Sequence, residues 1–366
     1  LRFAEFTDEW GKYELSHFVT RITRRNKNNE SSLPLTISAQ YGLVDQISFF
    51  NKTVASVDLS GYYLLYNGDF AYNKSYSNDY AWGAVKRLDK YEKGCLSSLY
   101  FVFRPNDNVD SDYLTHYFES SKWHKGISNI AGEGARNHGL LNMAIDDYFA
   151  TKHYLPSLPE QKKIAQFFNA ITRRIEIQNK IIEDLKVLKK ELCCKLLSNI
   201  TEYKLLGELC SITTGRLDAN ANKPNGLYPF FTCGKETLLI DTYAFDGEAI
   251  MIAGNGDIGH TKYYCGKFNA YQRTYVLMNF RSNAHFIKMG IDTYLPRKII
   301  EETQGGAMPY IKMSTLESLK IPYVSEKAQL AIKNNYDVIV KKLDQEVKML
   351  GLLLKQKSFL LNTMFI

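Results

Sequence analysis

The sequence predicts an α+β protein: two mixed α/β domains separated by two long antiparallel helices that form a coiled-coil spacer, with an internal pseudo-twofold repeat. Three observations carry this expectation: a heptad seam in the middle of the chain, a second seam near its end, and a similar lead-in before each. A single offset of 166 maps Leu155-Pro156-Ser157-Leu158-Pro159-Glu160 onto Ile321-Pro322-Tyr323-Val324-Ser325-Glu326, and Ile164-Ala165 onto Leu330-Ala331. Such a duplication sets the plan of a chain before any local reading. It divides this one into a first domain at 1–154, a first long helix at 155–200, a second domain at 201–320 and a second long helix at 321–366.

In the first seam, Ile164, Phe168, Ile171, Ile175, Ile182, Leu185, Leu192 and Leu196 follow steps of four and three, with Gln178 and Lys189 in the two polar places. That period defines a coiled-coil stripe. Ser157 and Glu160 have capping-box spacing, Pro159 suits an early helical position, and neither Pro nor Gly interrupts the run before Ser198. The expectation is one helix of about 40 residues, roughly 60 Å long. A helix of that length needs a partner of the same period. Tyr336, Val340, Leu343, Val347, Leu350, Leu354, Leu361 and Met364 supply one, with Lys357 in the polar place. The pairing is antiparallel because the chain must return from one domain to the other. Arg173, Arg174, Lys186, Lys190 and Glu191 lie off the seam, either as a solvated face or as a protein-docking surface.

In the first domain, 1–10 (LRFAEFTDEW) reads as an irregular docking segment and 13–23 as a short amphipathic element. The polar basic stretch 24–32 (RRNKNNESS) is a solvent-facing loop or one that lies along phosphates or enters a groove, since Arg and Asn read guanine and adenine edges. Aromatic and β-branched runs at 35–41, 62–65, 69–73 and 97–103 read as strands, and 112–123 as helix. Basic, amide and aromatic groups interleave from Tyr72 to Arg87, and 132–139 is Gly-rich. The pattern then begins again: 203–214 parallels 12–23, 247–253 takes the place of 68–74, 270–277 that of 97–103, and Gly305-Gly306-Ala307 that of Gly134-Ala135. Duplicated scaffold with divergent sequence between suggests two modules doing one job on different targets.

At 366 residues, with 45% hydrophobic and 23% charged, the chain has room for two ordinary domains. A net charge of +7 fits an anionic partner without demanding one, and 25 Tyr suit a wet polyanionic surface as well as strand cores. The six cysteines show neither C-x-x-C spacing nor a histidine ligand pattern, so no metal site or disulfide framework is indicated and reduced thiols in a cytoplasmic protein are expected. No apolar run reaches membrane-spanning length, and Leu1 in place of Met suggests a few leading residues outside this numbering. Gly254-Asn255-Gly256-Asp257-Ile258-Gly259 matches G-x-G-x-x-G, but the aromatic, Gly-broken sequence that follows cannot open the helix that fingerprint needs. Walker A, H-E-x-x-H and the N-P-P-aromatic turn of amino-methylating enzymes are absent, and no catalytic constellation is found.

The run from Leu155 to Leu197, with its P-L-P-x-x-E-Q-x-x-I-A type lead-in, closely resembles the first helical spacer of the specificity (S) subunit of type I restriction-modification enzymes, a bacterial defence against foreign DNA. The opening LRFAEFTDEW, GDFAYNKSYS, YEKGCLSSLYFVF and the repeated half look like the same family, although Ser325-Glu326-Lys327 stands where the family reads P-E-Q. The resemblance implies two target recognition domains, each gripping one half of a split sequence in double-stranded DNA. It implies helices that set the spacing and dock two methyltransferase (M) subunits, and no catalysis or cofactor in this chain. S-adenosylmethionine would come with the M subunits, and ATP and Mg with restriction (R) subunits.

Candidate DNA contacts in the first domain are Arg24, Arg25, Asn26, Lys27, Gln40, Tyr41, Lys74, Tyr76, Lys86 and Arg87. In the second they are Arg216, Asn220, Asn222, Lys223, Asn255, His260, Lys262, Tyr263 and Arg273. The competing reading is a coiled-coil adaptor without DNA specificity. It differs in lacking salt-dependent DNA affinity, which phosphate contacts produce by releasing counterions.

Overall fold

The computed structural model describes residues 1–52, 54–77, 80–132, 139–302 and 310–366; the interiors of both expected Gly-rich stretches lie outside these. Two compact units result, Leu1–Gln178 with Met349–Ile366, and Asn179–Lys348. The long helices are Leu158–Ser198 and Glu326–Met364. Each unit contains one segment of each.

The first unit is closed by an antiparallel ribbon, Gly11–Glu14 against Lys152–Leu155. Above it lie two four-stranded sheets. One runs Val19–Arg21, Phe101–Pro105, Phe70–Asn73, Ala84–Arg87; the other Gly42–Asp45, Pro34–Ser38, Lys93–Leu96, Tyr63–Tyr66. Phe70, Tyr72 and Phe103 of the first sheet pack with Trp123, Tyr148 and helix Ser111–Glu119 into one core. That helix is capped by Asp110, whose carboxylate accepts from the Tyr113 N–H at 2.9 Å.

Helix Ser111–Glu119 joins the long helices to the sheet. Phe168 stacks on Phe365 at 5.7 Å, and Phe365 packs on Tyr113 and Tyr117 at 5.4 and 5.7 Å. Lys357 donates to Thr172 Oγ1 at 3.0 Å and pairs with Glu119 at 2.9 Å. Residue numbers thus fall on the second helix as they rise on the first, the antiparallel arrangement expected.

The second unit repeats this plan. Its ribbon is Tyr203–Leu205 against Lys320–Pro322. Its sheet has six strands in the order Ser211–Thr214, Thr274–Met278, Phe245–Ala253, Thr261–Ala270, Tyr228–Phe231, Thr237–Ile240. The first four positions reproduce the order of the first unit's leading sheet, as the aligned segments predict. The difference in strand number has a local cause. In the second unit one long hairpin, Phe245–Ala253 with Thr261–Ala270, runs unbroken, and Gly247 and Gly266, both at positive φ, face each other within its ladder. In the first unit each arm is cut in two, at Asn67–Asp69 and again between Arg87 and Lys93, so one sheet becomes two. Helix Ala284–Glu302 backs the second sheet through Ile287, Ile291 and Leu295. Phe286 and Met289 of the same helix meet Cys193, Leu197 and Tyr336 of the long helices.

Three details correct the sequence reading. Gln161 accepts from the Asp110 N–H at 2.8 Å and donates to the Pro156 carbonyl at 2.9 Å. Gln329 likewise accepts from the Asn283 N–H and donates to the Val324 carbonyl, at 3.2 and 2.8 Å. These two glutamines are the true counterparts, so at the helix starts the repeat is offset by 168, not 166, and Phe168 matches Tyr336. Glu160 is no cap: it is buried, accepting from Arg2 at 2.7 Å and from the Trp10 indole at 3.3 Å, which docks the opening segment. Along the second helix Leu353 is 4% exposed, whereas Val347 and Leu354 are 48% and 50% exposed. Strict four-three counting drifts against a helix of 3.6 residues per turn, and the buried stripe steps through Leu353 instead.

The remaining seam positions Ile164, Phe168, Ile171, Ile175, Ile182, Leu185, Leu192, Tyr336, Val340, Leu343, Leu350 and Leu361 are buried or half-buried. Among the described residues no helix is long and apolar enough to cross a membrane.

Candidate nucleic-acid interface

In the second unit several candidate residues lie at one end of the six-stranded sheet, where Phe245–Ala253 ends and Thr261–Ala270 and Thr274–Met278 begin. The connecting turn is held by bonds from Ala253 N–H to the His260 carbonyl, 2.9 Å, and from Asp257 N–H to the Cys233 carbonyl, 3.2 Å. Gly254 donates to the Arg273 carbonyl at 3.0 Å, and a β-bridge joins Leu217 to Tyr271. Asn255, Arg273 and Arg216 are thereby gathered on adjacent loops. Between Thr214, Asn255, Gln272, Arg273 and Tyr310 lies a cleft of about 340 Å³.

Arg216 and Arg273 are exposed, and neither forms an ion pair with a described residue. Two uncommitted guanidinium groups with an amide between loops are the donor set that contacts phosphates and base edges. His260 is at the same turn; burial first, then Lys262 and Lys288, hold its pKa below the ordinary value. Lys262 donates to the Glu236 carbonyl at 2.7 Å.

The other second-unit candidates are placed differently. Asn220 and Asn222 are exposed around the short turn Ala219–Ala221. Lys223 is drawn to the outer strand, its ammonium pairing with Asp241 at 2.6 Å. Tyr263 points to the helix side of the sheet, donating to Glu248 at 2.8 Å and packing against His285 at 4.0 Å.

In the first unit the corresponding sheet end carries Lys74, lying over the Phe101 ring at 4.6 Å, and the partly exposed Tyr76. Arg24 is engaged elsewhere. It donates to the Leu64 carbonyl at 2.7 Å, stacks over Tyr66 at 4.5 Å and pairs with the fully buried Asp69, which also holds Arg104 at 2.6 Å. Arg25 donates to the Gly61 carbonyl at 2.9 Å and covers the Tyr63 ring at 4.0 Å. Asn26 is buried, its side chain bridging both the N–H and the carbonyl of Ser31 at 3.1 and 2.9 Å. The stretch 24–32 is therefore folded onto the second sheet by its own polar groups, and within its basic part only Lys27 is left exposed.

Arg87 pairs with Asp89 and Asp112 at 2.6 and 2.7 Å, tying its strand to helix Ser111–Glu119. Gln40 and Tyr41 form an exposed hairpin turn, and Gln40 shares a second cleft with Lys86. Asp69 and Gln272 escaped the sequence reading: one acts from inside the core and the other is a lone amide in a turn, and neither belongs to a pattern.

On the long helices Arg173, Arg174, Lys186, Lys190 and Glu191 are all exposed, with Lys186 paired to Glu183 at 2.7 Å. Apolar side chains share the exposed faces: Ile177, Ile181 and Leu188 on the first helix, Val338, Leu352 and Phe359 on the second. Contiguous exposed apolar groups are a feature that protein-interaction surfaces share.

Comparison with known proteins gives a consistent result. The profile of the type I restriction modification DNA specificity domain matches twice, at residues 22–187 and 201–356. The specificity subunit of the type I restriction enzyme EcoDI of Escherichia coli is 37% identical over 139 residues, which span 38% of this chain and 31% of that protein. The fold resembles that of the type I S subunit from M. genitalium, with a TM-score of 0.59 and 18% identity, covering 100% of this chain and 98% of that one. A chain solved in work on complex assembly and conformational transition of the type I system gives 0.58 and 17%, covering 98% and 97%.

Proposed function

The chain belongs to the type I restriction-modification DNA specificity family, and from that premise we propose that it is the non-catalytic reading and assembly subunit of such a complex. The observation that carries the proposal is the duplicated sheet with candidate DNA contacts at the same end of each copy: Lys74 and Tyr76 in the first unit, Arg216, Asn255 and Arg273 in the second. Each unit reads one half of a bipartite target. The two halves differ, because Lys74-Ser75-Tyr76 and Gly254-Asn255-Gly256 present different groups to the bases. The exposed faces of the long helices dock two M subunits, through apolar contacts at Ile177, Ile181 and Leu188 and the charges around Arg173, Arg174 and Lys190. S-adenosylmethionine, ATP and Mg belong to partner subunits.

The test is to map methylated adenines in cells carrying the intact system. A bipartite, asymmetric target that loses one defined position when Arg273 or Asn255 is replaced supports the reading. A continuous or palindromic target would overturn it. The adaptor alternative fails if the purified chain binds duplex DNA with an affinity that falls steeply as salt rises.

A further inference from the structure

The first unit contains a cleft of about 550 Å³ whose lining includes two of the candidate DNA contacts, Gln40 and Lys86. Its walls come from the Ala39-Gln40 turn, the strand carrying Lys86, the end of helix Ser111–Glu119, and the 354–362 stretch of the second long helix. Lys86 is half-buried in this wall; the Glu119 charge acts on it electrostatically, yet among the described residues none accepts a hydrogen bond from its ammonium or lies within ion-pair distance of it. A lysine held partly out of water without an acceptor is an expensive arrangement unless something else supplies the acceptor.

Lys357 enters from the opposite wall. Its partner there is Glu119, which is already shared with His116 at 3.3 Å. Burial opposes the Glu119 charge, but the bonds from His116 and Lys357 outweigh it and hold the carboxyl at about 2, so this acid is ionised at any working pH. Two ammonium groups therefore face one carboxylate, which leaves the cleft with positive charge in excess. Gln40, Ser121 and His124 add polar groups to the lining, and burial lowers the pKa of His124.

We propose that this cleft is a phosphate subsite, with Lys86 as the direct ligand and Lys357 as the second cation. The phosphate belongs either to the DNA backbone beside the first half-site or to a free phosphate compound; the first source rests on the DNA-reading function proposed above, the second does not. Because Lys357 also bonds Thr172 of the first long helix, an occupied cleft would tie the bound phosphate to both helices.

The experiment uses the full chain, with Lys86→Met and Lys86→Arg. Inorganic phosphate is titrated at constant ionic strength against chloride while thermal unfolding is followed, and duplex DNA affinity is measured across a salt series. Both variants must melt within a few degrees of the parent in chloride. If a backbone phosphate enters the cleft, K86M lowers the magnitude of the slope of log K against log salt by about one, and K86R restores it. If the ligand is free phosphate, phosphate raises the melting temperature of the parent and K86R but not of K86M, with the DNA slope unchanged. A K86M chain whose phosphate response and DNA slope both equal the parent's overturns the proposal. Failure of the parent to bind DNA at all would count against the DNA-reading function, while the phosphate titration would still decide the cleft.

Discussion

Truncating Phe168 should destabilise the first unit by about 4 kcal/mol. The side chain is fully buried and contacts Phe365, His116 and Phe167 at 5.7, 5.4 and 5.6 Å. Phe→Ala at such a site removes the transfer free energy of a ring and leaves a cavity, together about 3 to 5 kcal/mol. The first long helix provides its own controls. Ile175 is half-buried, so Ile175→Ala should cost about 1 to 2 kcal/mol, and Ile177 is 53% exposed, so Ile177→Ala should stay within about 0.5 kcal/mol. All three tryptophans, Trp10, Trp82 and Trp123, belong to the first unit, so their fluorescence reports that unit during guanidinium unfolding. With a slope of about 4 kcal/mol/M, the Phe168→Ala midpoint should fall by about 1 M. A graded series in the order 168, 175, 177 is expected. If Phe168→Ala and Ile177→Ala gave equal midpoints, the helix would not pack by the stripe described here.

Acid should weaken the same unit before its carboxylates titrate. His153 is 3% exposed, and burial pushes its pKa down to about 4, below the ordinary value near 6.5. A group with a depressed folded pKa contributes its stability in full above the unfolded pKa and loses it as pH falls. Between pH 7.5 and 5 the loss is about 2 kcal/mol, and His153→Gln should flatten that part of the stability profile; an unchanged profile would count against the assignment. Replacing Arg216 or Arg273 should leave folding intact and change DNA binding: a phosphate contact weakens all sequences alike, while a base contact relaxes one target position at about 1 to 3 kcal/mol. Native melting with unaltered DNA affinity and specificity in both variants would exclude these two side chains from the interface. Ile181→Lys with Leu188→Lys should abolish co-purification with the M subunits without unfolding the chain, whose parent residues are already exposed; retained co-purification would place docking elsewhere.

The periodic features were legible in the sequence because periodicity is what a helix imposes. The stripe from Ile164 to Leu192 and the correspondence of 203–214 with 12–23 both follow from spacing alone. Drift was not legible: nothing local distinguishes Leu353 from Leu354, and packing chose between them. The shift from a 166 to a 168 offset was hidden for a related reason. The Leu-Pro and Ile-Pro pairs look alike, whereas Gln161 and Gln329 reveal their equivalence only through the carbonyls and N–H groups they bridge. Charge was the least legible property. Arg24, Arg87 and Lys223 look as available as Arg216 and Arg273 in a linear reading, yet Asp69, Asp112 and Asp241 come from distant segments to hold them. A basic residue becomes a candidate for DNA only after the fold has shown which acids it has already met.

The makeup of the first unit has a consequence for synthesis. Its core includes Leu361, Met364 and Phe365, which are made only after the whole of Asn179–Lys348. At 5 to 20 residues per second the ribosome takes about 10 to 35 s over that intervening stretch. During this interval Phe168 and the aromatic face of Tyr113 and Tyr117 await their last partner, while the second unit still lacks nothing from outside its own span. The part of the chain made first is therefore the part completed last, and the nascent protein is most exposed to aggregation or chaperone capture at its leading end.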